Sequence, residues 1–144
     1  MPKTPKSILG LDVGAQRIGV AIASLEARLP RPLTTLQAGG SLLAALKDII
    51  TTENIESLVI GLPRGLNGQH TEQTKAVEVF ADDLGSHCDL PIHFQDEAVT
   101  SKQAEAELQA RGKDYQRGDI DALAATYILE DFLAEHKELV APND

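Results

Sequence analysis

The segment ILGLDVGAQRIGVAIAS, residues 8–24, constrains the fold more than any other part of the sequence. It contains two apolar runs, Ile8–Val13 and Arg17–Ala23, and the short connection between them predicts a hairpin of two strands. The alternate residues on one side of the second strand are all small: Gly19, Ala21 and Ala23. Such a face allows another element to pack closely against it. Asp12 ends the first run, where an ionised carboxylate needs a cation, several donors or a raised pKa.

The rest of the chain alternates between apolar runs and helical patterns. Further strands are predicted at Pro32–Leu36, Ser57–Gly61 and Leu90–Gln95, and helices at 41–52, after Thr71, at Thr100–Ala110 and at Asp119–Glu135, with Ser41 and Thr71 as N-caps. This order predicts an α/β fold with a mixed five-stranded sheet: an N-terminal antiparallel meander, then parallel strands, with helices on both faces. Right-handed crossovers place the first strand near the sheet centre.

Length and composition are those of one globular domain spanning residues 1–144, with loose termini at 1–6 and 137–144. The single cysteine, Cys88, excludes an intrachain disulfide. This observation and the lack of a signal-peptide pattern together favour a cytoplasmic location. No apolar run approaches the ~20 residues of a membrane span. The net charge of −9 argues against a generic basic nucleic-acid binder. It does not determine what a local cleft binds.

Carboxylates at three places in the chain lie near the predicted sheet: Asp12, the adjacent Asp96 and Glu97, and Asp121. Asp12 has the alternative role of accepting backbone hydrogen bonds in the turn that follows it. Asp96 and Glu97 follow the strand that ends at Gln95, and ligands bind at the carboxyl ends of such strands. Alternatively, both are solvated, or they favour the start of the next helix through its dipole.

Asp121 is the most informative of these carboxylates. It precedes Ala125, Ile128 and Phe132 at helical spacing, so it lies on the core-facing stripe of the last helix. Asp119 is better placed for a purely N-terminal role. If the carboxylates converge, they cannot all remain ionised without positive charge, and a hard divalent cation with oxygen ligands is the natural partner. The residues therefore suggest a metal-dependent phosphodiester hydrolase.

Four blocks resemble the YqgF/RuvX family: ILGLDVGAQRIGVAIA, VIGLPRGLNGQHTEQT, QDEAVTSKQAEAEL and DIDALAATYILEDFL. Members of that family are described as Holliday-junction resolvases and as nucleases that mature the precursor of small-subunit ribosomal RNA. The resemblance implies an RNase H-like fold and a hydrolase that uses one or two Mg²⁺ or Mn²⁺ ions. It also implies Asp12, Glu97 and Asp121 as catalytic residues and metal ligands, with Asp96 in support.

The same blocks suggest contacts with structured RNA or branched DNA. Arg17 is a candidate for contacting phosphate or for orienting a carboxylate, and alternatively it is a charged strand start. Arg64 and Asn67 lie in a loop before a helix N-terminus, where a backbone phosphate can bind. Lys102 and Arg117 are further candidates, with solvated surface charge as the alternative. The family arginine that follows Glu97 is replaced here by Ala98, which cannot pair with phosphate.

The leading hypothesis is a nuclease that processes the 5′ end of pre-16S rRNA, acting as a monomer or homodimer. A Holliday junction resolvase, which has to dimerise to cut two strands symmetrically, is the alternative within the same chemistry. A catalytically weakened nucleic-acid-binding module is an alternative of another class, suggested by Ala98 and the acidic composition. A sugar-kinase or actin-like ATPase is disfavoured because 144 residues are too few for two lobes.

Overall fold

The computed structural model describes residues 5–64, 68–97 and 117–137, with the backbone alone for 117–119. The strands are β1 Ser7–Val13, β2 Arg17–Ser24, β3 Arg31–Gln37, β4 Ile55–Pro63 and β5 Ile92–Glu97. The helices in these ranges are α1 Leu42–Thr52, α2 Glu72–His87 and α3 Arg117–Glu135. The helix predicted at 100–110 lies outside the described residues. Within them, no helix combines the length and hydropathy that crossing a bilayer requires.

The five strands form one mixed sheet in the order β3-β2-β1-β4-β5. β1 is central, antiparallel to β2 and parallel to β4, and β5 continues the parallel half. The predicted fold class and the central position of β1 are therefore confirmed. Asp12 is the sixth residue of β1 and pairs with Gly19 of β2, so it lies at the carboxyl end of the central strand.

Helices cover both faces of the sheet, as predicted. α1 and α2 pack on the face that carries Leu9 and Leu11 of β1. α3 packs on the opposite face, where Ile8 belongs to the core cluster of Ile128 and Phe132. Because side chains alternate along a strand, Asp12 shares the α3 face with Ile8 and Gly10.

Glycines in three neighbouring strands set the path of α3 across the sheet. A Cβ on Gly19 of β2 would overlap the backbone carbonyl of Asp121, one on Gly10 of β1 would meet Leu129, and one on Gly61 of β4 would meet Ile128. The helix therefore starts over β2 and crosses β1 and β4 toward β5. The prediction that the small-residue face of β2 permits close packing is confirmed.

Among the local predictions that differ from the structure are the end of β5 and the cap of α1. β5 ends at Glu97 instead of Gln95, because β4 extends to Pro63 and pairs with Glu97. Asp96 and Glu97 therefore lie within the strand rather than in a loop after it. Ser41 occupies the N-cap of α1 but makes no side-chain cap hydrogen bond, whereas Thr71 caps α2 in a capping box with Thr74.

Candidate active site

Asp12 and Asp121 come close together because the residue between them on the sheet, Gly19, has no side chain. Asp12 lies opposite Gly19 in the β1–β2 pairing, and the backbone of Asp121 rests directly on that glycine. Both carboxylates thus lie at the end of β1 on the α3 face, and Asp121 raises the pKa of Asp12 by its charge. The buried stripe predicted for α3, at Ala125, Ile128 and Phe132, is confirmed.

Asp12 is held where its charge is costly. Burial, and then the negative charge of Asp121, raise its pKa from 3.8 to about 6. A carboxylate in this state gains more from a nearby cation than a solvated one does. The site therefore has the electrostatic character that a divalent cation neutralises.

Arg17 forms an ion pair with Asp121. Arg17 is the first residue of β2, and Asp121 lies near the start of α3. The Arg17 Nε donates a hydrogen bond to Asp121 Oδ2 at 2.7 Å. Their side chains are only 26% and 19% exposed, so water screens the pair less than at an open surface. Of the roles considered for Arg17, orienting a carboxylate is the one that this contact matches.

Glu97 lies on the same face of the sheet, at the end of β5. Burial raises its pKa from 4.5 to about 8, with a hydrogen bond that protonated Glu97 donates to Asp131 and the charges of Asp131, Glu135 and Asp12 adding to the shift. Its Oε1 is buried and has no hydrogen-bond partner within the described part of the chain. Glu97 thus combines a hydrogen bond to Asp131 with an oxygen that is open to a further ligand.

Two acidic residues in this site were missed by the sequence prediction. Asp131 and Glu135 are one helical turn apart on α3, and Glu135 Oε2 accepts a hydrogen bond from Gln95 Nε2 at 2.9 Å. Gln95 and Glu97 are alternate residues of β5 and share a face. The i, i+4 spacing of the two acids is visible in the sequence, but nothing in it indicates that they face Glu97.

Asp96 points to the other face of the sheet. Its Oδ1 accepts from Arg64 Nε at 3.1 Å, and the backbone N–H of Arg64 donates to the Glu97 carbonyl oxygen at 3.1 Å. Arg64 is therefore tied to the last two residues of β5. This pair supports the strand that carries Glu97, while Asp96 itself stays away from Asp12 and Asp121.

Other predicted substrate contacts fall elsewhere. Asn67 and Lys102 lie outside the described residues, and Arg117 is described only by its backbone, as the first residue of α3. Their predicted roles stay predictions. The same holds for the replacement at Ala98.

The described carboxylates lie near one another without forming a ready metal centre. Among residues 5–64, 68–97 and 120–137, no three Asp, Glu, His or Cys side chains are close enough to hold one ion. Two of the predicted ligands already have partners: Asp121 is paired with Arg17, and Glu97 is hydrogen-bonded to Asp131. The donor chemistry nevertheless fits a hard cation: oxygen donors, mutual repulsion and the unpartnered Glu97 Oε1.

Comparison with known proteins identifies the family. The family model described as RuvX, Holliday junction resolvase, matches residues 6–135. The chain belongs to this family. Among RuvX-type relatives, a protein of Moorella thermoacetica is 41% identical over 133 residues, covering 88% of this chain and 93% of its own length. One from Chloroflexus aggregans is 38% identical over 132 residues, covering 89% and 93%. Both are named as candidate pre-16S rRNA nucleases.

Solved structures support the RNase H-like fold of the RuvX family member. The Thermus thermophilus RuvC complex with a Holliday junction substrate superposes with a TM-score of 0.52 at 18% identity, covering 95% of this chain and 99% of that one. The Fowlpox virus resolvase in complex with junction DNA gives 0.50 at 11% identity, covering 92% and 98%. The expected fold is confirmed.

Proposed function

We propose that the protein is a divalent-metal-dependent nuclease that hydrolyses phosphodiester bonds during 5′-end processing of pre-16S rRNA. The observation that carries the proposal is the placement of Asp12 beside Asp121 through Gly19, with Glu97 close enough to Asp12 for the charge of Asp12 to raise the pKa of Glu97. The curated relatives supply the RNA substrate. The cytoplasmic location expected from the single cysteine is part of the same proposal.

Asp12, Asp121 and Glu97 are the residues that would hold Mg²⁺ or Mn²⁺. When bound, one or two such ions polarise the scissile phosphate and favour a water nucleophile. Asp12 would be the fixed ligand, because it belongs to the central strand. Before either carboxylate were fully available, Asp121 would leave Arg17, and Glu97 would lose its proton and its hydrogen bond to Asp131.

The remaining residues position these groups. The Gln95–Glu135 hydrogen bond ties the end of α3 to β5 two residues before Glu97. Arg64 and Asp96 brace the same strand from the other face. Arg64 is also the last described residue before the predicted substrate-contacting segment, so we assign it to the phosphate backbone of the substrate, as the sequence predicted.

Cleavage assays with matched variants test the proposal. The purified protein, with Mg²⁺ or Mn²⁺ and with EDTA, is incubated with a structured RNA that carries the 5′ leader of 16S rRNA and with a four-way DNA junction. Asp12→Asn, Glu97→Gln and Asp121→Asn should each reduce the cleavage rate by at least about 100-fold. Asp48→Asn, on exposed α1, is the matched control and should not change it.

Unchanged cleavage in the three variants would show that the activity belongs to another site or to a contaminant. RNA binding that persists in Asp12→Asn, with biological function intact, would instead support the weakened binding module suggested by Ala98.

Junction resolution is the second candidate, favoured by the match to the Holliday junction resolvase model and by the likeness to RuvC. Resolution needs two symmetric cuts and hence two active sites, so the resolvase has to be a dimer when it cuts. Sedimentation of the protein with and without a junction distinguishes the candidates. A monomer that processes RNA but leaves junctions intact would exclude resolution.

A further inference from the structure

We propose that Arg17 is a positioning residue that exchanges partners: it holds Asp121 until a divalent cation takes that carboxylate, and is then released to a substrate phosphate. The proposal rests on the proposed metal-dependent nuclease function and deepens it. It predicts that cation binding and nucleic-acid binding are coupled through one side chain.

The first step of the argument is geometric. Arg17 and Gly19 are alternate residues of β2, so the Arg17 side chain lies on the face where α3 packs. Because Gly19 lets the Asp121 backbone rest on the strand, the Asp121 carboxylate lies within 2.7 Å of the guanidinium. No change in the fold is needed for this contact to form or break, since it joins only two side-chain ends.

The second step concerns competition for one carboxylate. Asp121 lies between Arg17, to which it is bonded, and Asp12, whose pKa its charge raises. A cation bound between Asp12 and Asp121 would relieve their repulsion, but it would do so beside the positive guanidinium. The bond to Arg17 therefore opposes cation binding, and removing Arg17 should strengthen it.

The third step concerns the released guanidinium. Arginine binds phosphate oxygens through paired donors, as it binds a carboxylate. Once Asp121 is engaged by the cation, Arg17 remains at the start of β2 on the face that carries the site. It should then contribute to RNA affinity only when the cation is present.

Mn²⁺ binding measured by calorimetry, without nucleic acid, is the first test. Arg17→Gln should bind Mn²⁺ about three- to tenfold more tightly than the wild type, the range expected for losing one partly screened ion pair. In an Asp121→Asn background, the same substitution should change Mn²⁺ affinity by less than about twofold. Arg31→Gln, an exposed arginine at the other end of the β2–β3 pair, has the same change in net charge and should have no effect.

RNA binding is the second test, with a structured RNA made uncleavable at its processing site. Arg17→Gln should lower RNA affinity in Mn²⁺ and leave it within about twofold in EDTA, because Arg17 is engaged with Asp121 when no cation is bound. A residue with a merely structural role would not distinguish the two conditions. Arg17→Met is measured in parallel, so the test does not depend on one variant folding.

The outcomes separate the two proposals. If the wild type binds no Mn²⁺, the metal-dependent function itself fails. If the wild type binds Mn²⁺ and Arg17→Gln leaves the affinity unchanged, or strengthens it equally in the Asp121→Asn background, the exchange is overturned while the nuclease proposal stands.

Discussion

Single carboxyl groups in this site are placed where burial and neighbouring charge oppose their ionisation. Burial is the largest cause of the raised pKa of both Asp12 and Glu97, and the charge of at least one other acid adds to each shift. Such an arrangement destabilises the protein in the absence of a cation. It is typical of functional sites, where local stability is lower than the fold would allow.

Asp12→Asn should therefore stabilise the protein in EDTA. The pKa of Asp12 is 3.8 when unfolded and about 6 when folded, so its contribution to stability is fully present below pH 3.8 and is lost as pH rises through 6. At pH 8 the substitution should raise the free energy of unfolding by about 1–3 kcal/mol, or several degrees in Tm. Thermal melts at pH 8 and pH 4.5 check this. A gain of equal size at both values would show that ionisation is not the cause.

Asp131→Asn should lower the pKa of Glu97. Burial is the largest cause of the shift to about 8 and is unchanged by the substitution, but the hydrogen bond and the charge of Asp131 come next. The midpoint of the Glu97 carboxyl resonance, followed by ¹³C NMR in EDTA, should move to lower pH. Asp48→Asn, on the opposite side of the sheet, is the control. An unchanged midpoint in Asp131→Asn would contradict the contact.

The sequence predicted Asp12 and Asp121 because each position follows from a local period: the end of an apolar strand and the buried stripe of a helix. It did not predict Asp131 and Glu135 as neighbours of Glu97. That contact depends on the angle at which α3 crosses the sheet, which strand glycines far apart in the sequence determine.

Among the elements, α3 is the one whose position decides the site. Gly19→Ala should shift it, because the added Cβ would overlap backbone atoms of Asp121, which cannot rotate away as a side chain can. We expect the free energy of unfolding to fall by about 3 kcal/mol. We also expect Mn²⁺ affinity to fall, because the shift of α3 moves Asp121 away from Asp12. Gly40→Ala adds its Cβ in open space and is the control. Urea unfolding measures the stability of both variants, and calorimetry measures their Mn²⁺ affinity. Equal stabilities of the two variants would contradict the close packing.

The start of α2 is fixed to the end of β4 by one buried hydroxyl. Thr74 is fully buried, donates to the Pro63 carbonyl oxygen and completes the capping box with Thr71. Thr74→Val keeps the shape but removes these bonds, so it should cost about 1–3 kcal/mol. Thr74→Ser keeps the hydroxyl and should recover most of the loss. Chemical unfolding of both variants tests this, and equal losses would show that packing, not hydrogen bonding, matters here.

Most elements were predictable because apolar periodicity is local, whereas element ends were not. β5 ends two residues later than predicted because its partner β4 extends to Pro63 and supplies hydrogen bonds out to Glu97. This small difference has a chemical consequence. Within a strand, Asp96 and Glu97 point to opposite faces, so only Glu97 joins Asp12 on the α3 face.

At the scale of the whole molecule, the net charge of −9 opposes the approach of any nucleic acid. The carboxylates of the candidate site add to this repulsion at the point where a phosphate has to bind. We therefore expect that RNA binding, and not only catalysis, requires the divalent cation. Tighter binding on adding Mn²⁺ at constant ionic strength would be the sign of this dependence.

Neutralising the site separates this local effect from that of net charge. The triple variant Asp12→Asn, Glu97→Gln, Asp121→Asn should bind an uncleavable structured RNA about tenfold more tightly than the wild type in EDTA, and should no longer respond to Mn²⁺. A control that removes three exposed acids from α1 and α2, Asp48→Asn, Asp82→Asn and Asp83→Asn, has the same formal net charge. It should gain much less affinity in EDTA and keep the full Mn²⁺ response, because its changes lie on the other face of the sheet. Equal behaviour of the two triple variants in fluorescence anisotropy would mean that the cation acts by screening the whole protein and not through this site.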